Sequence, residues 1–461
     1  MIVVATKRKS AMEEEEGCER WGVVVAAFFT QFIVCGVTYS LGVFHVIFKD
    51  VFYESHFDTS WIGSILLYIT ALSSVMFRFV TSYWGSRVSV MLGGLLSATG
   101  LALCMLASDL YQLYLAFGLL TGIGFGLACS PSIVAVERCF IHGRYQALSV
   151  VVGGIGAGII TFPILIRYLL EYFAWRGTML ILSGIALNLC VCGATMRPRP
   201  TDKELRLLPL LSCLPMRHPL FHGMCIANLF WSFGSTVIYM YLPAYAMSQG
   251  TTFETSTLLV SCVGMASFCS RMIFAFMGHN STLDEVTSVL CSIGLGVVIT
   301  GICPLLFEHY PGQIGYTLLF GFYSGFWTTF LSQVARELIG PEYIALGNGY
   351  LCCMVALGSL AAGPAAGLLI QEENEYKHAF YLAGACLLWS SIIMVMFKLK
   401  SCVAPSREDS LYTKEKHDDT QKVPLILDEL GTKEKVQMLA DDIVVPKHPH
   451  PCATPTSAYL T

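Results

Sequence analysis

Three arginines stand inside long apolar stretches of this chain: Arg78, Arg167 and Arg271. An ionisable side chain at membrane depth is costly, so it faces a cavity or a partner and points to function. Arg271 closes the run Ser261-Cys262-Val263-Gly264-Met265-Ala266-Ser267-Phe268-Cys269-Ser270-Arg271, with no acidic residue one helical turn before it. Its planar fork suits bidentate recognition of a carboxylate, so an uncompensated Arg271 in a cavity attracts a small organic anion. The competing reading holds it on another helix's backbone carbonyls or has it snorkel inward. Arg78 stands near the end of its run, within snorkelling reach of the membrane surface. Arg167 has Glu171 four residues on, the spacing of a helix-surface ion pair. His45 changes charge in the physiological range, which makes it a candidate proton carrier or a lone interfacial residue. Tyr39, Asn228, Ser232, Tyr239 and Ser267 are polar groups available to line a cavity, with Asn228 and Ser232 one turn apart on one face. Hydrogen bonds between helices explain such residues equally well. No paired carboxylates, nucleophile triad, metal cluster or phosphate loop stands in a plausible context, so no enzyme, metal or cofactor is expected.

The elements that must carry these residues follow from composition. The 461 residues are 55% hydrophobic and only 13% charged, against about 25% charged for soluble domains. That charge cannot cover the two or three soluble domains such a length implies. This argues against a cytosolic enzyme, a nucleic-acid binder and a disordered scaffold; the net charge of -4 identifies no partner. A helix crossing about 30 Å of hydrocarbon needs about 20 apolar residues, and about twelve such stretches can be read. The first six run near 21–47, 60–83, 87–108, 110–135, 146–170 and 176–196. Six more run near 220–247, 255–278, 284–306, 313–335, 343–370 and 379–399.

The organisation expected is a cytosolic N-terminus over 1–20, a six-helix bundle over 21–196 and a charged cytosolic loop over 197–219. A second six-helix bundle over 220–399 and a disordered cytosolic tail over 400–461 complete it. The first twenty residues are polar and lack the apolar core of a secretory signal. Positive charge orients the chain: Arg87, Arg138, Arg144, Arg197, Arg199, Lys203, Arg206, Arg217 and Arg336 fall in inner loops, against Lys49, Arg176 and Lys377 outside. The sequon at Asn280 then falls inside the cell and is a chance match. Most of the 18 cysteines lie in apolar runs, where thiols behave as small apolar side chains. Two six-helix blocks about a charged inner loop suggest an all-α major-facilitator architecture, with the substrate site between the bundles.

Glycines cluster in several spans, and small residues let helix backbones approach in lipid. Gly154 and Gly158 share one face at i, i+4, either as static packing or as a surface that slides during transport. Pro163 and Pro364 each remove a backbone donor and can bend their helices. Gly85-Ser86-Arg87 looks like a shortened major-facilitator loop motif that closes the inner side, and a plain positive-inside charge accounts for Arg87 equally well.

Specific strings then become informative. Trp175-Arg176-Gly177, Leu187-Asn188, Cys192-Gly193-Ala194 and Met196-Arg197-Pro198 closely resemble the sixth span of the monocarboxylate transporter family. Val90-Met91-Leu92-Gly93-Gly94 looks like its third span and Gly118-Leu119-Leu120-Thr121-Gly122 its fourth. Phe140, Arg144, Ala147, Gly154 and Gly158 fit its fifth-span signature. Gly363-Pro364-Ala365-Ala366-Gly367, Tyr376, Phe380-Tyr381 and Gly384 resemble its last two spans. The likeness covers residues 21–399.

The resemblance implies a plasma-membrane, multi-pass carrier of small monocarboxylates or related organic anions. In that family some members couple to protons and others are facilitative. Several associate with a single-span immunoglobulin-like chaperone glycoprotein. Departures are equally informative. Where proton-coupled lactate carriers place a first-span lysine, this chain has Tyr39; where they place an eighth-span aspartate, it has Ser267. Their substrate arginine is matched by Arg271. The expectation is therefore alternating-access transport that is facilitative or atypically coupled, with Arg271, Tyr39, Ser267, Asn228 and Ser232 at the substrate. Arg87, Arg144, Gly154, Gly158 and Pro364 are expected in gating or structural roles. A carrier of neutral or zwitterionic solutes, and a non-transporting receptor or assembly partner, are the alternatives.

Overall fold

The structure, a computed structural model, describes residues 2–76, 78–140, 144–196, 219–277, 300–301, 303, 306–339, 344–373 and 375–403. Every element among them is helical. The expected spans over 284–299, the loop over 197–218, the tail from 404 and the Asn280 sequon lie outside the described residues, as do the side chains of Arg78, Arg144 and Arg336.

Helices α1 (Ile2–Tyr39) and α2 (Leu41–Phe52) are separated at Ser40, whose hydroxyl donates to the Gly36 carbonyl at 2.7 Å. That local bond competes with the backbone ladder and breaks the first crossing beside Tyr39. α3 (His56–Met76) and α4 (Arg78–Cys104) follow, with a bend inside α4 at Gly85, φ 82°. α5 (Leu110–Leu113) leads through a π-helical segment, Tyr114–Thr121, into α6 (Gly122–Cys139). α7 (Arg144–Thr195) has 52 residues. At 1.5 Å per residue it would run about 78 Å if straight, more than twice the hydrocarbon thickness. It turns instead at Ala174, φ 51° and ψ 179°, between the fifth and sixth apolar runs. The second half comprises α8 (Pro219–Ser248), α9 (Phe253–Met277), α10 (Tyr310–Ile339), α11 (Ile344–Glu373) and α12 (Tyr376–Val403). Among the described residues nine helices are long and apolar enough to cross a membrane, the doubled α7 counted once. α7 and α11 continue as helix through Pro163 and Pro364.

Helices α1 to α7 share a largely aliphatic core that includes Val24, Leu66, Phe117, Ile166 and Leu182. The second half is held by aromatic stacking: Tyr245 lies on Phe307 with centroids 4.5 Å apart, and Phe380 lies 4.8 Å from Tyr245. Gly154 and Gly158 face the Phe28 and Phe32 carbonyls of α1, a packing contact inside the first half. The glycines that meet the other half are different ones. Gly156 lies against Phe268 and Gly264 against Ile159 and Ile160, closing α7 on α9. Gly42 packs on Tyr239 and Pro243 of α8, and Gly363 and Gly367 of α11 pack on the Ser60–Ser64 and His56–Phe57 turns of α3. A side chain at these seams would meet backbone.

One ion pair corrects the local reading of Arg167. Its guanidinium reaches Glu254 at the start of α9, 3.3 Å away, and not Glu171. The pair thus bridges the halves. Helix spacing placed Glu171 within range, but the close α7–α9 approach offers a partner beyond its own helix.

Candidate functional site

A cavity of about 180 Å³ lies between the halves, smaller than the ~300 Å³ at which drug-sized pockets begin. Tyr39 enters from the first half, beside the Ser40 break; Asn228, Trp231, Ser232, Trp327 and Thr328 line the opposite walls. Tyr39 packs on Tyr239 at 4.7 Å, and Trp231 packs on Trp327 at 5.1 Å. The walls are thus aromatic with interspersed hydroxyl and amide groups.

The polar side chains divide by function. Asn228 donates from Nδ2 to the Leu351 carbonyl at 3.1 Å, and Ser232 donates from Oγ to the Val355 carbonyl at 2.9 Å. Both bonds tie α8 to α11. They use protons and leave acceptor lone pairs on a wall of the cavity. The opposite side carries donors. Arg271 is only 5% exposed and gives one Nη2 hydrogen bond, 3.1 Å to the Thr328 hydroxyl. Its Nε and Nη1 have no partner, and neither has the Trp327 indole nitrogen. Arg271 therefore stands one residue behind the wall, with Thr328 between it and the cavity. Among the described residues no carboxylate pairs with it. An uncompensated buried charge costs several kcal/mol, and a bound anion would offset that cost.

The sequence-derived residues are thus only partly brought together. Tyr39, Asn228 and Ser232 line the cavity, and Arg271 stands next to it. Ser267 does not reach it: its side chain faces Gly325 in the α9–α10 contact, and its hydroxyl has no partner. Arg87 is exposed and does not line the cavity, and Pro364 lies between the two glycines of the α3–α11 seam. Trp231, Trp327 and Thr328 escaped sequence reading. A tryptophan in an apolar run looks like lipid-facing anchorage, and only the unfilled donor at Trp327 gives it away. Arg176 packs 5.2 Å over Trp175 and donates to the Ala107 carbonyl at 3.3 Å, so this paired signature fixes one end of the first half.

A second polar cluster joins the halves. Lys49 Nζ lies 2.6 Å from His56 Nε2, His45 Nε2 lies 3.3 Å from His56 Nδ1, and the Tyr376 hydroxyl lies 3.2 Å from His56 Nε2. His45 is therefore not a lone histidine. Its outer nitrogen neighbour is His56, and its ring also packs on Tyr241 at 4.9 Å.

Paired helical halves around a small, cation-flanked cavity define a membrane carrier. Residues 27–362 match the family model of the Major Facilitator Superfamily, which makes the chain a multi-pass membrane protein of that transporter class. It is 30% identical over 429 residues to monocarboxylate transporter 13 of Bos taurus, covering 91% of this chain and 98% of that one. It is 29% identical over 429 residues to monocarboxylate transporter 12 of Homo sapiens, covering 85% and 83%, and 27% identical over 411 residues to human monocarboxylate transporter 6, covering 83% and 81%. The chain belongs to the monocarboxylate transporter family, as a divergent member.

Proposed function

We propose that this protein is a facilitative carrier of small organic anions, monocarboxylates foremost, working by alternating access in the plasma membrane. The observation that carries the reading is Arg271: a buried guanidinium with two unpartnered nitrogens, one hydroxyl away from a small cavity between the halves. Rotation of the Thr328 side chain, or of Arg271 itself, would bring the fork onto a carboxylate. Tyr39 and Trp327 would hold the solute's apolar body, and Asn228 and Ser232 would accept hydrogen bonds from its far end. Ser267 and Tyr39 carry no exchangeable charge at neutral pH, which supports facilitation over the lysine–aspartate coupling of lactate carriers.

The topology proposed is twelve spans in two bundles, 21–196 and 220–399, joined by a cytosolic loop over 197–219, with the 1–20 and 400–461 ends in the cytosol. Lys49, His56 and Tyr376 then lie at the outer end. Arg87, Arg144 and Pro364 would steady the gates, with Gly154 and Gly158 as packing. A single-span immunoglobulin-like glycoprotein is the proposed escort, and no nucleic acid is involved.

Uptake of radiolabelled solutes into proteoliposomes tests this, across lactate, pyruvate, ketone bodies, creatine, carnitine and aromatic acids. Saturable uptake of at least one carboxylate without accumulation under an inward proton gradient is expected. Gradient-driven accumulation would overturn facilitation; no carboxylate uptake would overturn the anion reading. The acceptor wall of Asn228 and Ser232 favours a second reading, a zwitterionic acid whose donor end faces that wall, and the creatine and carnitine arms of the screen address it.

A further inference from the structure

We propose that His56 is a proton-operated latch on the outer end: neutral, it holds the halves closed there; protonated, it releases them. The inference rests on the carrier reading and its topology, and concerns a cluster outside the substrate cavity.

Hydrogen-bond polarity fixes the argument. An ammonium group has donors and no acceptor. Lys49 Nζ at 2.6 Å therefore requires a lone pair on His56 Nε2. The proton of His56 is then on Nδ1, where it donates to His45 Nε2 at 3.3 Å. His45 in turn carries its proton on Nδ1, a buried atom without a partner. The directed chain from Lys49 through His56 to His45 exists only while both imidazoles are neutral. Tyr376, from the second half, shares the same Nε2 at 3.2 Å.

A proton on His56 turns Nε2 into a donor facing an ammonium. The short hydrogen bond is lost and two like charges meet at contact distance, an arrangement unfavourable at any interior dielectric. Among the described residues no carboxylate is hydrogen-bonded to His56, and Glu54, two residues before it, is exposed. On α3, Asp58 accepts from the Ser55 hydroxyl at 2.6 Å. On α12, Glu375 lies 3.6 Å from Lys377 and 3.8 Å from His378. Asp50 of α2 and Glu372 of α11 are exposed, and α8 contributes Tyr241, whose hydroxyl donates to the Gly363 carbonyl at 2.9 Å.

The cluster is mechanically connected to the seam. Gly367 of α11 packs on the His56 carbonyl and the Phe57 Cα, so pushing His56 off Lys49 shifts the α3 turn on which α11 rests, whereas the bond to the Tyr376 hydroxyl, which accepts as well as donates, is not the one that breaks. By linkage, protons bind better to the open state and acid favours opening. The proton enters and leaves on the same side, so the latch changes how often the outer end opens and adds no proton to the transport stoichiometry.

The test needs no solute. Spin labels on unnatural amino acids replace Tyr172, on α7 near Trp175, and Gln371, four residues past Gly367; both are exposed. Pulsed electron resonance then measures the distance between halves from pH 8 to pH 5 in nanodiscs. The expected result is a growing long-distance population. Its ratio to the short one rises by up to about tenfold per pH unit, the limit for one linked proton, once acid reaches the range where a free imidazole charges, about pH 6.5. His56→Gln is expected to flatten the response, and Lys49→Met to raise the open population at pH 8 while weakening its pH dependence. Wild-type distances that ignore pH would overturn the latch, as would an undiminished response in both variants. Because the labels report without transport, pH-driven opening in a protein that moves no carboxylate removes the carrier reading alone. Transport with pH-independent distances removes the latch alone.

Discussion

Arg271 and His56 are both basic groups enclosed between the two halves, and they are furnished in opposite ways. Arg271 has one hydrogen bond to a neutral hydroxyl and two idle nitrogens. His56 has Lys49, His45 and Tyr376 around it, and both ring nitrogens are engaged. Unused donors next to a cavity favour an added acceptor, because burial without a partner is expensive. A ring with both nitrogens engaged gains little from a ligand and is disturbed chiefly by a change of charge. In the proposed reading the first receives a solute and the second responds to a proton.

The comparison breaks most sharply at Arg271. Arg271→Gln keeps a donor and removes the charge, and initial-rate uptake of any carboxylate the wild type carries should fall about a hundredfold, as for loss of a charge-assisted pair worth about 3 kcal/mol. Unchanged uptake would show that the anion is held elsewhere. Thr328→Val sharpens the contrast from the other side. It removes the one acceptor of Arg271 while keeping side-chain volume, so the guanidinium is freed toward the cavity. The apparent KM for carboxylates should change about tenfold, consistent with a hydrogen bond from a charged donor of about 1.5 kcal/mol, with little loss of folded protein on size-exclusion chromatography. Glu254→Gln should do least. Its side chain is 64% exposed and that of Arg167 27%, and surface pairs contribute about 0 to 1 kcal/mol. The same spin-label distances should shift by less than about fivefold in population, without the pH dependence assigned to His56.

Much of this was legible in the chain. Among the described residues nine helices long and apolar enough to cross a membrane fall on the apolar runs, and the gap between the runs 146–170 and 176–196 contains Ala174, where α7 turns. Arg271 announced itself as a charge in an apolar run without a local partner. What sequence spacing cannot supply is the rotation of one helix against another. Arg167 had an acceptable neighbour at Glu171, and its real partner depends on α7 meeting α9. Ser267 stands one turn from Arg271, yet its side chain faces Gly325 because the α9–α10 approach needs that glycine. Likewise His45 and His56 are eleven positions apart, on separate helices whose tight connection brings their rings together. Local periodicity identifies which faces are polar; only the packing of distant segments decides which polar face meets which.

The Ala174 turn has a practical consequence. On the end that carries it, α7 reverses without a loop, and α2 passes to α3 through Tyr53–Ser55. At these two connections helix ends leave little free chain for a protease to cleave or an antibody to grasp. A reagent that recognises the native protein there must fit helix ends rather than a loop, with the 93% exposed Tyr53 as a projecting point.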